Sequence, residues 1–228
     1  MTEIERAWAR ITRWCEQHAP VTAGALHPPA GTADVARAEA ATVGPWPDEL
    51  RAWFAVQNGA EPVEGDVLLD HAPIDLDELV EWWQTWQEVR AEQPEDVEED
   101  GTAGGATSSF PAALLPISND SAGNCYAVDL RPGPMRGCVT LVDHEESFVV
   151  DGDLAVWPSL AAMLTEVADG LEQGRAVRGV VPVVEDGELA WHDADADADD
   201  APRGGLVARL AERLRRPRVE AVPRRARP

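Results

Sequence analysis

The chain has 228 residues, 44% of them apolar, and a formal net charge of −23, enough for one full domain with tails or for two small domains. Every one of its 19 basic residues is arginine, against 42 acids. From Arg203 onward nine arginines oppose only Glu212 and Glu220, a net +7, while the body before them holds ten arginines and 40 acids, a net −30. A body this acidic repels nucleic acid and anionic lipid and attracts basic protein surfaces.

Cys15, Cys125 and Cys138 lack metal-ligand spacing, and three is the wrong number for a disulfide framework. Glu3 and Glu5 sit where a signal peptide would be basic, and no apolar run is long enough to span a bilayer. A cytoplasmic protein without a transmembrane segment is expected.

Ile4, Trp8, Ile11 and Cys15 recur at helical spacing behind Thr2, predicting a first helix over 3–17 that Pro20 ends. After a loop, Thr32 is expected to cap a weaker helix with Val35 and Ala38 inward. Pro47-Asp48-Glu49 opens a third helix on which Leu50, Trp53, Phe54 and Gln57 share a face, and Asn58-Gly59 forms its exit turn. A strand is expected at Val67–Leu69. Pro73 then leads into a fourth helix, where Asp75 and Glu78 have capping-box spacing and Leu79, Trp82, Trp83, Trp86 and Val89 form the apolar side. Core packing accounts for tryptophans so placed, although three this close also suit a face that meets a partner.

From 92 to 109 the acids Glu95, Asp96, Glu98, Glu99 and Asp100 run into Gly, Ala, Thr and Ser with no apolar period, predicting a flexible acidic loop. Leu114–Ile117 re-enters the fold. Tyr126, Val128 and Leu130 alternate with Cys125, Ala127 and Asp129, the pattern of a strand with one buried face and one outward face, and Cys138–Val142 supplies its antiparallel partner across Arg131-Pro132-Gly133-Pro134. Loop length suggests that Asp129 lies opposite Val139 and Cys125 opposite Asp143. The Cys125 thiol and the His144 imidazole then point to opposite sides of the sheet, which argues against a cysteine nucleophile with a histidine base.

Phe148–Val150 reads as a short strand and Asp151–Asp153 as a turn. Pro158-Ser159 opens a helix bearing Leu160, Met163, Leu164, Val167 and Leu171, stopped at Gly174. Val180–Val184, Asp186-Gly187 and Leu189–Trp191 read as a hairpin, with Pro182 marking an edge strand. Asp193–Asp200 alternates aspartate with alanine. Beyond it Leu206, Leu210 and Leu214 beside Arg209, Arg213, Arg215 and Arg216 outline a basic amphipathic segment. It suits a calmodulin-like target or a membrane-surface anchor, or else a tail that is disordered or folds back loosely on the acidic body.

Taken in order, Pro47-Asp48-Glu49-Leu50, Asn58-Gly59, the Asp75 helix, Leu115-Pro116-Ile117-Ser118-Asn119-Asp120, Gly123 to Leu130, Gly137 to His144 and the Ser159 helix resemble the SUKH superfamily of SMI/KNR-type domains, over roughly 4–191. The resemblance implies an α+β fold: a single domain at 1–192 with a central, mainly antiparallel sheet flanked by helices, followed at 193–228 by an acidic linker and a disordered or weakly helical Arg-rich tail. Bacterial members of this type include immunity proteins of polymorphic toxin systems, and fungal ones act as interaction hubs in cell-wall signalling. No catalytic, cofactor or metal residue is implied. Asp120, Gly123 and Asp129 match motif positions and read as structural.

The expected function is a protein-binding module, most concretely an immunity protein that occludes a basic, nuclease-type toxin, toward which an acidic surface steers rapidly. The alternative is a regulatory scaffold akin to the fungal regulator. Asp66, Asp70, Asp143, Glu145 and Glu146 are the expected acidic rim of the contact, with Trp82, Trp83 or Trp86 as aromatic anchor.

Overall fold

The computed structural model describes residues 1–62, 64–92, 101–105, 107, 110–142 and 155–194. Helices α1 (Glu3–His18), α2 (Pro20–Ala25), α3 (Thr32–Ala41) and α4 (Asp48–Phe54) precede a two-residue strand β1 (Ala72–Pro73) and helix α5 (Leu76–Glu92). Strands β2 (Leu114–Pro116), β3 (Ser118–Asn119), β4 (Cys125–Asp129), β5 (Cys138–Val142) and β6 (Ala155–Trp157) follow, then α6 (Leu160–Gln173) and the hairpin β7 (Val180–Glu185) and β8 (Glu188–Asp193). The central sheet has the order β2-β4-β5-β6, antiparallel throughout, with β1-β3 and β7-β8 as separate antiparallel pairs. The fold is α+β.

Local chemistry explains most boundaries. Thr2 and Glu5 form a capping box at the start of α1, Ser159 caps α6 by accepting from the Ala162 N–H at 3.1 Å, and Gly174 ends α6 in the left-handed region at φ 59°. Asp186-Gly187 turns the final hairpin with φ 51° and 90°, as a two-residue type I′ connection requires.

One face of the central sheet presents Leu115, Tyr126, Val128 and Val139 to the large core shared with α1, α4 and α6. The other face presents Leu114, Cys125, Ala127 and Val142 to a smaller cluster containing Trp86 of α5. All five residues of β4 are therefore buried. This corrects the expectation of one outward face: the alternation of large and small side chains marks two helix-covered sides rather than a wet one.

The hairpin register also differs by one residue from the expected one, with Asp129 opposite Cys138 and Cys125 opposite Val142. Three further expectations give way. Pro20 does not merely end α1 but opens α2, proline being well placed at a first helical position. Gly31, not Thr32, is the N-cap of α3. Val67–Leu69 forms a turn, not a strand: the Leu68 N–H donates to the His71 carbonyl at 3.0 Å, and Leu69 and Asp70 take φ 55° and 61°. Its three apolar side chains are fully buried nonetheless. The acidic run at 95–100, the strand expected at 148–150, the turn at 151–153 and the tail lie outside the described residues.

Candidate protein-binding surface

Helix α5 is held at its start by a reciprocal cap. The Asp75 carboxylate accepts from the Asp77 and Glu78 N–H groups at 2.9 and 2.8 Å, and Glu78 accepts from the Asp75 N–H at 3.2 Å, the box that the Asp-x-x-Glu spacing predicts. Asn58 adds a second tie by accepting from the Leu76 N–H at 3.0 Å. Gly59, at φ 94°, brings the chain so close that an added Cβ would meet the Asp75 backbone N at 3.0 Å. The Asn58-Gly59 exit turn of α4 is thus also the seat of α5. Burial pushes the Glu78 carboxyl above its ordinary pKa.

The three tryptophans of α5 have different fates. Trp86 is buried in the smaller cluster and packs on Phe110 with ring centroids 5.2 Å apart. Trp83 packs on the larger core and donates its indole N–H to the Ala112 carbonyl at 2.8 Å. Trp82 stays half-buried beside Trp86, 6.3 Å away edge-on, and presents part of its ring outward.

Along the outer side of α5, Asp77, Glu81, Glu88 and Glu92 are all exposed. Spacings of 4, 7 and 4 residues keep them within about 60° of one another around a helix of 3.6 residues per turn, so they form one stripe, with Trp82 and half-buried Val89 along one margin. Among the described residues none of the four has a salt-bridge partner. Four arginines of the body are committed elsewhere: Arg10 to Asp169 and Glu172, Arg51 to Glu39 and Asp48, Arg175 to Asp169, Arg178 to Glu166. Sequence reasoning followed the apolar side of this helix and missed the stripe, although its spacing is legible in the same residues.

Asp66 and Asp70 lie elsewhere. Both are half-buried in the turn that sends Val67, Leu68 and Leu69 into the larger core, next to His71, which stacks on Tyr126 with centroids 4.4 Å apart. Trp82 and Trp86 belong to the cluster on the opposite side of the sheet. The structure therefore brings Trp82 and Trp86 together, turns Trp83 to the larger core, and does not join Asp66 and Asp70 to the Trp82–Trp86 pair. Asp143, Glu145 and Glu146 lie outside the described residues, as does His144.

The remaining polar positions are structural. Asp120 organises the turn before β4 by accepting from the Ala122 and Asn124 N–H groups, each at 2.9 Å. Asp129 is fully buried against Arg131, whose Nη2 lies 2.7 Å from Oδ2; Asp129 also accepts from the Gly104 N–H, and Arg131 donates to the Gly105 carbonyl. The three thiols are buried. Burial pushes Cys15 to about 12 and Cys138 to about 11, and holds Cys125 well above its usual value, so none is poised as a thiolate at neutral pH. No group of three or more metal-ligating side chains occurs, and no helix is long and apolar enough to cross a membrane, among the described residues.

The family model of the SMI1 / KNR4 family (SUKH-1) matches residues 29–166, spanning α3 to α6. The chain belongs to that family. SUKH-1 relatives include the cell wall assembly regulator SMI1 of Saccharomyces cerevisiae, 23% identical over 212 residues covering 76% of this chain and 41% of the relative. A glucan synthesis regulatory protein of Neurospora crassa is 25% identical over 213 residues, covering 75% and 39%, and a KNR4/SMI1 homolog of Yarrowia lipolytica is 25% identical over 244 residues, covering 84% and 33%. The chain thus spans well under half the length of these fungal relatives.

Proposed function

We propose that this SUKH-1 domain is a regulatory protein-binding module that docks a basic partner on the outer face of α5. The observation that carries the reading is the stripe Asp77, Glu81, Glu88 and Glu92, unpaired among the described residues beside a half-exposed Trp82. Carboxylates left outside the ion pairs of the described residues raise the on-rate of a cationic partner, and a tryptophan at their margin offers buried area and a face for a guanidinium. The regulators of cell wall assembly and glucan synthesis among the relatives support a regulatory role over a catalytic one. Asp66 and Asp70 would then serve a second contact or the turn itself.

A second reading shares the surface: an immunity protein that occludes a basic toxin, favoured by the net charge of −30 on the body before Arg203. Affinity capture from the native cell lysate separates the two, using the full chain and a form ending after Ala194, past the end of β8, with folding of the shorter form verified by circular dichroism. Several basic partners retained by both forms support the regulatory module. One basic protein bound near-stoichiometrically by both forms, and weakened by salt, supports occlusion. Retention of acidic or neutral proteins alone, indifferent to salt, contradicts both.

A further inference from the structure

We propose that the α5 face has an intramolecular occupant, the Arg-rich segment 203–228, which competes with the external partner. The inference rests on the reading of α5 as the docking surface and adds how that surface is regulated. Three observations carry it. The stripe on α5 is anionic and lacks a cationic partner among the described residues, while Arg10, Arg51, Arg175 and Arg178 are already paired with other acids. The sequence places its cation surplus, nine arginines against two acids, in the segment after the described body ends at Ala194. The residues between, 195–202, are eight, a reach of up to about 28 Å against a radius of gyration of about 16 Å for a domain of this size, so the tail can fold back onto the body instead of being held away from it.

The chemistry of the two surfaces matches. All cations of this chain are guanidinium groups, which pair with carboxylates through a planar fork and stack on indoles. The body already uses that stacking where Arg178 lies over Trp157 at 5.0 Å from the ring centroid. On α5, Glu81 and Glu88 offer carboxylates and Trp82 offers a ring. Leu206, Leu210 and Leu214, spaced four residues apart, match the margin of Trp82 and Val89, with arginines at Arg209 and Arg213 beside them to reach the stripe. Tethering by a short linker gives an effective concentration in the millimolar range. A contact only of micromolar strength would then be filled in the resting chain, and an external partner must displace it.

The test uses full-length proteins and a fluorescently labelled synthetic peptide of residues 203–228, with binding read by anisotropy. The tail-neutralised chain R209Q/R213Q/R215Q/R216Q should bind the peptide, and the wild-type chain at least about tenfold more weakly because its own tail fills the face. Adding E81Q/E88Q to the tail-neutralised chain should lower affinity by about tenfold, and adding E16Q/E64Q, two exposed acids outside α5, should leave it unchanged. Equal binding by the wild-type and tail-neutralised chains overturns the proposal, as does an equal loss from both pairs of acid substitutions. A basic partner that binds the wild-type and tail-neutralised chains equally, yet loses affinity with E81Q/E88Q, would overturn the intramolecular contact and leave the binding function intact.

Discussion

Arg131 and Asp129 are 1% and 0% exposed, and together they pin the chain at Gly104 and Gly105 to the end of β4. A buried charge stripped of its partner costs far more than the pair contributes when intact. Arg131→Met should therefore lower unfolding free energy by about 3–5 kcal/mol in urea titration, and Asp129→Leu combined with Arg131→Met should recover part of that loss. His71 predicts a pH dependence. A carbonyl can only accept, so Nδ1–H donates to Leu69 at 3.0 Å, leaving Nε2 buried without a hydrogen-bond partner among the described residues. Burial lowers the His71 pKa, with the Leu69 hydrogen bond and then Asp120 only partly opposing it. The folded state then binds fewer protons than the unfolded state below about pH 6.5, the ordinary imidazole value. The stabilisation is complete above that value and is lost as pH falls toward the depressed one. Urea midpoints should decline between about pH 7 and 5, and His71→Phe, which keeps a ring against Tyr126, should flatten that part of the decline.

Helix α5 joins core, sheet and surface, so its substitutions separate stability from binding. Trp86→Ala empties a buried site and should cost about 3–5 kcal/mol, whereas Trp82→Ala should cost much less and instead weaken partner binding. Asp75→Ala removes the cap and should cost about 1 kcal/mol in the same titration. How much of this helix was legible differs by side. Its cap, its apolar residues and the neighbouring α1, α4 and α6 follow from local periodicity and caps. The fate of each tryptophan does not, because that depends on where Phe110 and Ala112 arrive from a segment more than twenty residues away. The same limit explains Val67–Leu69: three apolar residues in a row fit a buried turn as well as a strand, and only the left-handed Leu69 and Asp70 distinguish them. The doubly covered β4 was hidden for a similar reason, since Cys125 and Ala127 look small and neutral until Trp86 is laid over them. Arg131 sits in a Pro/Gly loop that reads as exposed, and its burial follows from the return of residues 102–105, a contact no local pattern announces.

At the scale of the molecule, charge distribution is the dominant property. An acidic body, arginines largely spent on internal pairs and a cationic C-terminal segment together describe a protein whose associations answer to salt. Partner capture should weaken several-fold between about 50 and 200 mM salt, where the screening length shortens toward 7 Å, chiefly through the association rate; surface plasmon resonance across that range reads both rates. Because Asp77, Glu81, Glu88 and Glu92 are exposed and outside the ion pairs of the described residues, neutralising them should change binding without changing the fold. The most direct test of α5 as the docking surface is quantitative affinity capture with full-length wild type, E81Q/E88Q/W82A and the E16Q/E64Q control, all of matched thermal stability. The account predicts that proteins retained by the wild type and the control fall at least about fivefold on the α5 variant. Undiminished retention by that variant would contradict it and move the binding surface away from α5.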